Sequence, residues 1–453
     1  MVDPYTRLIA GVIFPLQERL KGHDTVRVRR EMDISQWWPR EKLEALQLAR
    51  LQTFLHDAYF NVPYYRAKLD EAGVTNGKIS SLSDLCKLPL LSKALIRANS
   101  EQLKSTRARG LARFNTGGSS GEPLIFWIGK ERVSHDVAAK WRATRWWGVD
   151  IGDPEVVVWG SPIELGAQDR LRMLRDMLLR THLLPAFEMS QRRLDEYVDT
   201  LRTVRPRVVF GYPSSISLIA EHAAKRDRRL DNLGTKVVFV TSERLYDHQR
   251  TAIERAFACP VANGYGGRDA GFIAHQCPAG GMHITAEDVI VEIVDGAGDL
   301  LPPGQEGEVV ITHLATSDFP FIRYQTGDVA VLDDRPCTCG RGLPLLKEVQ
   351  GRTTDFVVAS DGTIMHGLAL IYVIRDIPGV ENFRIVQESL QETHVQLVTN
   401  SSFVDEGVRS IEQGLKRRLG QNVKVSIERV AHIPREASGK YRYVASRVAA
   451  VNR

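Results

Sequence analysis

An α/β protein of two unequal domains is predicted by three observations. Short β-branched runs alternate with amphipathic stretches between residues 156 and 240, the pattern of strand–helix units on a parallel sheet. From about residue 284 to 332 the pattern turns to strands separated by Gly/Pro turns. Beyond residue 350 a new alternation of strands and helices begins. The expected fold class is α/β. A large N-terminal domain, residues 1–350, carries mixed, largely parallel sheets packed with helices plus a β-rich subdomain. A small α+β C-terminal domain spans residues 351–453.

In chain order, the patch Leu8 to Phe14 is apolar but broken at Pro15 and too short to span a bilayer. It reads as a helix packed on the main body, with a peripheral membrane contact as the alternative. It lacks the basic flank and cleavage site of a secretion signal. Residues 41–73 read as helices because Leu43, Leu46, Leu48, Leu51, Phe54 and Leu55 form one apolar stripe. Residues 131–147 read as an aromatic-rich helix. Val156–Trp159, Val208–Gly211 and Val237–Val240 read as buried strands, with helices over 190–204 and 213–226 between them. Strands follow at Val289–Val294, Glu308–Thr312 and Val329–Leu332. In the C-terminal domain, strands are expected at 356–359, 380–387, 393–399 and 423–429, and helices at 366–376 and 404–419.

Composition narrows the function. Apolar residues at 43% and charged residues at 25% describe an ordinary globular chain of 453 residues. The net charge of +5 is dispersed, without the concentrated basic run and interleaved aromatics of a nucleic-acid binder, so no nucleic-acid partner is expected. Five cysteines in so long a chain make no disulfide framework, which points to a reducing, cytoplasmic setting.

Residues 114–123, Phe-Asn-Thr-Gly-Gly-Ser-Ser-Gly-Glu-Pro, carry the strongest functional signal. Gly117, Gly118 and Gly121 permit close backbone approach, and Thr116, Ser119 and Ser120 supply hydroxyl donors, a combination suited to wrapping a polyphosphate. No Lys-Ser/Thr pair follows Gly121, so this is not a Walker A loop. Further blocks stand downstream: Thr241-Ser-Glu-Arg-Leu245, Tyr265-Gly-Gly-Arg-Asp269, Arg323-Tyr-Gln-Thr-Gly-Asp328, Gly351 to Asp355 and Ser438-Gly-Lys440. In this order and spacing the chain resembles the adenylate-forming superfamily, and within it the phenylacetate–CoA ligase-like branch with its capsule-biosynthesis (CapK-like) relatives. The resemblance covers roughly residues 40–445.

That resemblance implies an ATP-dependent ligase that joins a carboxylate to the α-phosphate of ATP, releasing pyrophosphate, and then passes the acyl group on. The acceptor is the thiol of coenzyme A in the leading reading and an amine in the alternative; a catalytically silent nucleotide-binding scaffold is the rival from another class. It implies that Thr116, Gly117, Gly118, Ser119, Ser120 and Gly121 hold the β- and γ-phosphates. Ser242 and Glu243 line the adenine, and Tyr265, with Gly266, Gly267 and Arg268, lies against the nucleotide. Asp269 helps place Mg²⁺, although Glu is more usual there. Asp328 accepts from both ribose hydroxyls, Arg352 approaches ribose and phosphates, and Lys440 neutralises charge on the α-phosphate. Asp355 matches a hinge about which the C-terminal domain moves between half-reactions; Thr354 stands where a second Asp is common. The segments 135–147, 210–216 and 263–267 are expected to line the acid, with His135, Trp141, Trp146, Tyr212 and Gly264. A homodimer is compatible with all of this.

A second signal is independent of the first. Cys337-Thr-Cys339-Gly can present two thiolates to one metal, and Cys277 with a histidine can complete a tetrahedral zinc site. Both His275 and His283 qualify as the fourth ligand by position; the resemblance favours His283. Four protein ligands leave no open position, so such a zinc is structural. Cys86 and Cys259 read as small buried apolar residues.

One outcome follows from the family likeness. Lys440→Ala is expected to abolish adenylate formation while sparing acyl transfer from a pre-made acyl-adenylate. Pyrophosphate exchange measured beside thioester formation checks this, and surviving exchange would remove Lys440 from its role.

Overall fold

The computed structural model describes residues 3–115, 124–160, 170–186, 188–349, 356–374, 377–433 and 443–448. Twenty strands can be named among them. A hairpin of β1 (Ala112–Asn115) and β2 (Ile125–Ile128) comes first, and residues 116–123 lie between its paired ends Asn115 and Ile125. Next come β3 (Glu155–Trp159), β4 (Thr181–Pro185), β5 (Glu188–Met189), β6 (Val208–Gly211) and β7 (Val237–Val240). Then follow β8 (Val261–Gly267), β9 (Gly271–Gln276), β10 (Met282–Ile284), β11 (Val289–Val294), β12 (Glu306–His313), β13 (Phe321–Asp333) and β14 (Leu345–Val349). The C-terminal part adds β15 (Phe356–Val358), β16 (Ile364–His366), β17 (Val380–Gln387), β18 (Glu392–Thr399), β19 (Lys424–Arg429) and β20 (Val444–Ser446).

The mixed α/β body expected from the sequence is present. Its parallel and β-rich parts are not separate sheets, however. One 11-stranded sheet runs β4-β3-β6-β7-β8-β9-β10-β14-β13-β12-β11. It is parallel from β4 to β8 and antiparallel from β8 to β11. The parallel strands are short Val-rich runs because helices cover both their faces: all four residues of β7 are buried, as are Val156 and Val158 of β3. On one covering helix, Gln191–Val204, Leu194, Tyr197, Val198 and Leu201 form the buried stripe, and Ser190 caps the first turn by accepting from the Arg193 amide.

The antiparallel half is covered by the helices Arg40–Asn61 and Pro63–Glu71. The first buries Leu43, Leu51, Phe54, Leu55 and Ala58, close to the stripe read in the sequence. Leu46 and Leu48 are only partly buried, because the inward face turns toward Gln47, whose amide donates to the Val289 carbonyl.

The C-terminal part is a four-stranded sheet, β19-β18-β17-β20, packed on helices Leu368–Ile374 and Asp405–Leu419. Gly414 lets these helices meet: a Cβ there would stand 2.4 Å from Val373 Cγ1. β16 was not visible in the sequence. It pairs with β15 on one side and with the short β5 of the preceding part on the other.

Buried charge ties the N-terminal helices to this frame. Arg142, on the helix Lys130–Arg145, meets Glu287 at 2.6 Å, and Ser35, on the helix Thr25–Ser35, donates to the same carboxylate at 2.6 Å. Both charged partners are almost wholly enclosed. Glu287→Ala strands the guanidinium and is expected to cost about 3–5 kcal/mol, whereas breaking the exposed Arg40–Glu44 pair with Glu44→Ala costs at most about 0.5 kcal/mol. Thermal and denaturant unfolding of the two variants side by side check the contrast.

Candidate active site and metal centre

The site gathers where the parallel strands end. Ligands of open α/β sheets bind beyond the carboxyl ends of the strands, where segments diverge. Here β3 ends at Trp159, β6 runs into Tyr212, β7 into Ser242 and Glu243, and β8 through Tyr265 into Asp269. Tyr212 stacks on Trp159 with ring centroids 4.3 Å apart. Glu243 accepts from the Ser214 hydroxyl and amide, which fixes the turn after β7 against the start of the helix Pro213–Lys225. Ser242 holds a left-handed backbone, φ 72°, a conformation that costs a non-glycine residue energy and that clusters at ligand sites.

β8 also carries a packing constraint. A Cβ on Gly266 would stand 2.2 Å from the Gly271 carbonyl oxygen, so only glycine allows the tight β8–β9 connection that swings Asp269 round. A Cβ on Gly267 would meet the Asp269 carboxylate at 2.7 Å, a side-chain contact rather than a backbone one. Gly264 has room, its nearest such neighbour being the Val240 carbonyl at 3.5 Å. The Arg268 carbonyl accepts from the buried Arg132 at 2.9 Å, which anchors the segment from behind.

Two carboxylates face this end of the sheet. Asp269 accepts from Tyr324 Oη, and Lys93 Nζ lies 3.8 Å from the same carboxylate. Asp328 accepts from Tyr265 Oη at 3.1 Å, so the motif tyrosine and the motif aspartate are direct partners. Asp328 is positioned by its own turn, its amide donating to Thr326 Oγ1 while Thr326 donates to the Val309 carbonyl.

Lys93 escaped the sequence reading. Its placement is topological: the Leu91 amide donates to the Arg323 carbonyl and the Leu91 carbonyl accepts from Gln325, so a loop residue joins β13 and delivers Lys93 to Asp269. Ser92 caps the helix that follows. Nothing in the local pattern around Lys93 distinguishes it from a surface lysine. Arg323, within the motif ending at Asp328, is structural instead. It is buried, pairs with Glu292 at 3.1 Å, and donates to the carbonyls of Cys86, Leu88 and Gly298.

The other expected site residues divide. Thr116, Gly117, Gly118, Ser119, Ser120, Gly121, Arg352, Asp355 and Lys440 lie outside the described residues. His135 is buried and committed to Asp288 at 2.6 Å, where Arg50 also reaches; the Asp288 carboxylate more than offsets the cost of burial and raises the imidazole above its ordinary value. Trp141 donates to Asp150 and packs edge-on against Phe14. It also lines a cavity of about 510 Å³ whose wall includes Asp136, Lys140, Trp159 and Phe272. Trp146 donates to Gln36 and sits against His283 rather than at the strand ends.

The metal-binding pattern resolves into one cluster. Ligand atoms of Cys277, His283, Cys337 and Cys339 all lie within 4.8 Å of one another. Cys277 Sγ is 3.7 Å from Cys337 Sγ, and Cys339 Sγ is 3.2 Å from His283 Nε2. His283 Nδ1 faces the Leu343 carbonyl at 3.3 Å, which leaves Nε2 free for a ligand role, the outer-shell arrangement usual for metal-bound histidine. Burial lowers the pKa of this imidazole to about 4, keeping it neutral and able to coordinate. His275 pairs with His283 across β9 and β10 but is not in the cluster; its ring stacks on Phe272. Gly281 leaves room for the thiol at the turn, since a Cβ there would meet Cys337 Sγ at 2.6 Å and displace it. Cys259 is buried as expected. Cys86 is not: it is exposed on the 3₁₀ turn Leu82–Lys87, where Leu85 takes the inward position.

Comparison with known proteins places this geometry in context. Residues 357–447 match the family model for the CapK C-terminal domain. Protein CapK of Staphylococcus aureus is 24% identical over 445 residues, covering 97% of this chain and 96% of that protein. The phenylacetate-coenzyme A ligase of Thermus thermophilus is 26% identical over 438 residues, covering 90% and 97%. Among solved structures, 2-hydroxyisobutyryl-CoA ligase with 2-HIB-AMP and CoA in the thioesterification state aligns with a TM-score of 0.65 at 22% identity, over 91% of each chain.

Proposed function

We propose that this chain, similar along most of its length to protein CapK and to phenylacetate-coenzyme A ligases, activates a carboxylic acid with ATP and transfers the acyl group to coenzyme A. The observation that carries the reading is the pairing of Asp269 with Tyr324 and of Asp328 with Tyr265 beyond the carboxyl ends of the parallel strands. Asp328 offers two oxygens to the vicinal ribose hydroxyls, with Tyr265 Oη holding the carboxylate in place. Ser242 and Glu243 border the adenine, and the loop Thr116 to Gly121 takes the phosphates. Asp269, partly exposed, would hold Mg²⁺, which neutralises phosphate charge when bound. Lys93 adds positive charge on that side. Lys440 acts in the first half-reaction, drawing the acid's carboxylate and the α-phosphate together despite their shared negative charge. Trp159 and Tyr212 at the strand ends support an aromatic or otherwise flat acid.

The test is ATP–pyrophosphate exchange against a panel of aryl, fatty and amino acids, followed by addition of coenzyme A or amines. Exchange with an acid and a thioester product are expected. Amide formation in place of thioester would reassign the acceptor, and silence across the panel with ATP still bound would indicate a scaffold. Asp328→Ala is expected to raise the KM for ATP about 100-fold, the equivalent of two charge-assisted hydrogen bonds of about 1.5 kcal/mol each.

We propose further that Cys277, His283, Cys337 and Cys339 hold a structural zinc ion, because three sulfurs and one imidazole nitrogen are the donor set of closed tetrahedral sites. Its part is to clasp the β9–β10 turn to the 337–340 turn. Elemental analysis of purified protein is expected to give one zinc per chain. Cys337→Ser with Cys339→Ser should remove the metal and lower the thermal midpoint; metal-free wild-type protein of unchanged midpoint would refute the assignment.

A further inference from the structure

The N-terminal helical segment keeps an apolar line in solvent. Pro4–Lys21 runs as a helix with one π turn at Ile9–Ile13, placed where Pro15 would otherwise collide with the preceding turn. Thr6, Ile9, Phe14 and Glu18 turn inward. Leu8, Val12, Leu16 and Leu20, each four residues from the last, turn outward and are 48%, 56%, 56% and 80% exposed. The helix Arg170–Leu178 is tied to it at one end, where Tyr5 donates to the Leu178 carbonyl, and exposes Met173, Leu174 and Met177. These two helices hold seven of the 13 large apolar side chains exposed among the described residues. Scattered exposed leucines need no explanation, but this concentration does.

The acids near the line are paired: Asp3, at the cap of the first helix, meets Arg180, and Asp176, on the second, meets Arg175. Arg7, Arg19 and Lys21 are the exposed ionic groups of the segment, and its single acid, Glu18, is buried against Thr25, His23 and Lys21. On its flank a groove collects Arg7, Arg29, Arg30 and Arg145; Arg29 pairs with Asp33 and Arg145 with Asp150, while Arg7 and Arg30 are its exposed cations. A self-associating dimer through this face would set arginine against arginine. An amphipathic helix with a leucine line and a basic margin suits a surface that is apolar below and anionic above.

We propose that this face docks on an anionic lipid bilayer, with Leu8, Val12, Leu16 and Leu20 entering the acyl boundary and the arginine groove meeting headgroup phosphates. The contact is peripheral: no helix among the described residues is long and apolar enough to cross a membrane. It does not rest on the proposed chemistry, since none of these residues belongs to that site.

The test is co-sedimentation of the full chain with vesicles of phosphatidylcholine alone or mixed with about one-third phosphatidylglycerol. Binding to the mixed vesicles that weakens with salt is expected, with little binding to phosphatidylcholine. Leu16→Asp with Leu20→Asp should reduce that binding at least about tenfold at an unchanged thermal midpoint, because both positions are already exposed. Arg7→Glu with Arg30→Glu should remove the preference for anionic vesicles. The proposal is overturned by wild-type protein that stays in the supernatant at low salt, or by aspartate variants that bind like wild type. It is equally overturned by a concentration-dependent dimer that Leu16→Asp dissolves, which would give the face to a second copy.

Discussion

Strand β8 is the constraint on which the molecule depends. It pairs parallel with β7 and antiparallel with β9, so one strand converts a strand–helix sheet into a meander without a break in hydrogen bonding. That change of direction requires the chain to reverse within a few residues after Gly267. The reversal is possible because Gly266 has no side chain to meet the Gly271 carbonyl. The consequence is chemical as well as architectural. The turn that reverses the chain projects Asp269, and the long β13, reached through the antiparallel half, returns Tyr324 and Asp328 to the same end of the sheet.

Charge placement follows the same frame. Arg323 reaches from β13 to the carbonyls of Cys86 and Leu88, and Leu91 hydrogen-bonds to β13, so the segment preceding Lys93 is held along its length. Arg142 with Glu287 and His135 with Asp288 do the corresponding task for the helix Lys130–Arg145. Removing one partner from such a pair leaves a buried uncompensated charge, which makes these contacts fixed points of the fold and unsuited to binding substrate. The sequence reading of His135 as a pocket residue therefore meets a competing role: a histidine on an inward helical face is as useful to a buried aspartate as to a ligand.

Much of the fold was legible because period and composition agree. Val208–Gly211, Val237–Val240 and Val289–Val294 stand at the boundaries read from their β-branched runs, and the C-terminal helices and strands 380–387, 392–399 and 424–429 fall within a residue or two at most ends. The cysteine cluster was legible because two of its ligands share a turn and a third is fixed by a hairpin. His275 and His283 could not be separated in the sequence, since directly paired residues across β9 and β10 differ only in what packs around them. β16 and the two-residue β5 were illegible: each is too short to carry a pattern, and β5 is a strand only because β16, itself paired with β15, supplies its hydrogen bonds.

The chain's own residues thus determined the elements, the α/β class and the motifs, since periodicity, turn chemistry and short blocks are local properties. Only the tertiary structure decided that two sheet regions are one, that Lys93 stands beside Asp269, and that His283 and not His275 joins the cysteines. It alone revealed that Leu8, Val12, Leu16 and Leu20 are left in water while Ile9 and Phe14 are enclosed. Those outcomes depend on contacts between residues tens to hundreds of positions apart. Such contacts arise from packing and hydrogen bonding across elements, which no window of sequence contains.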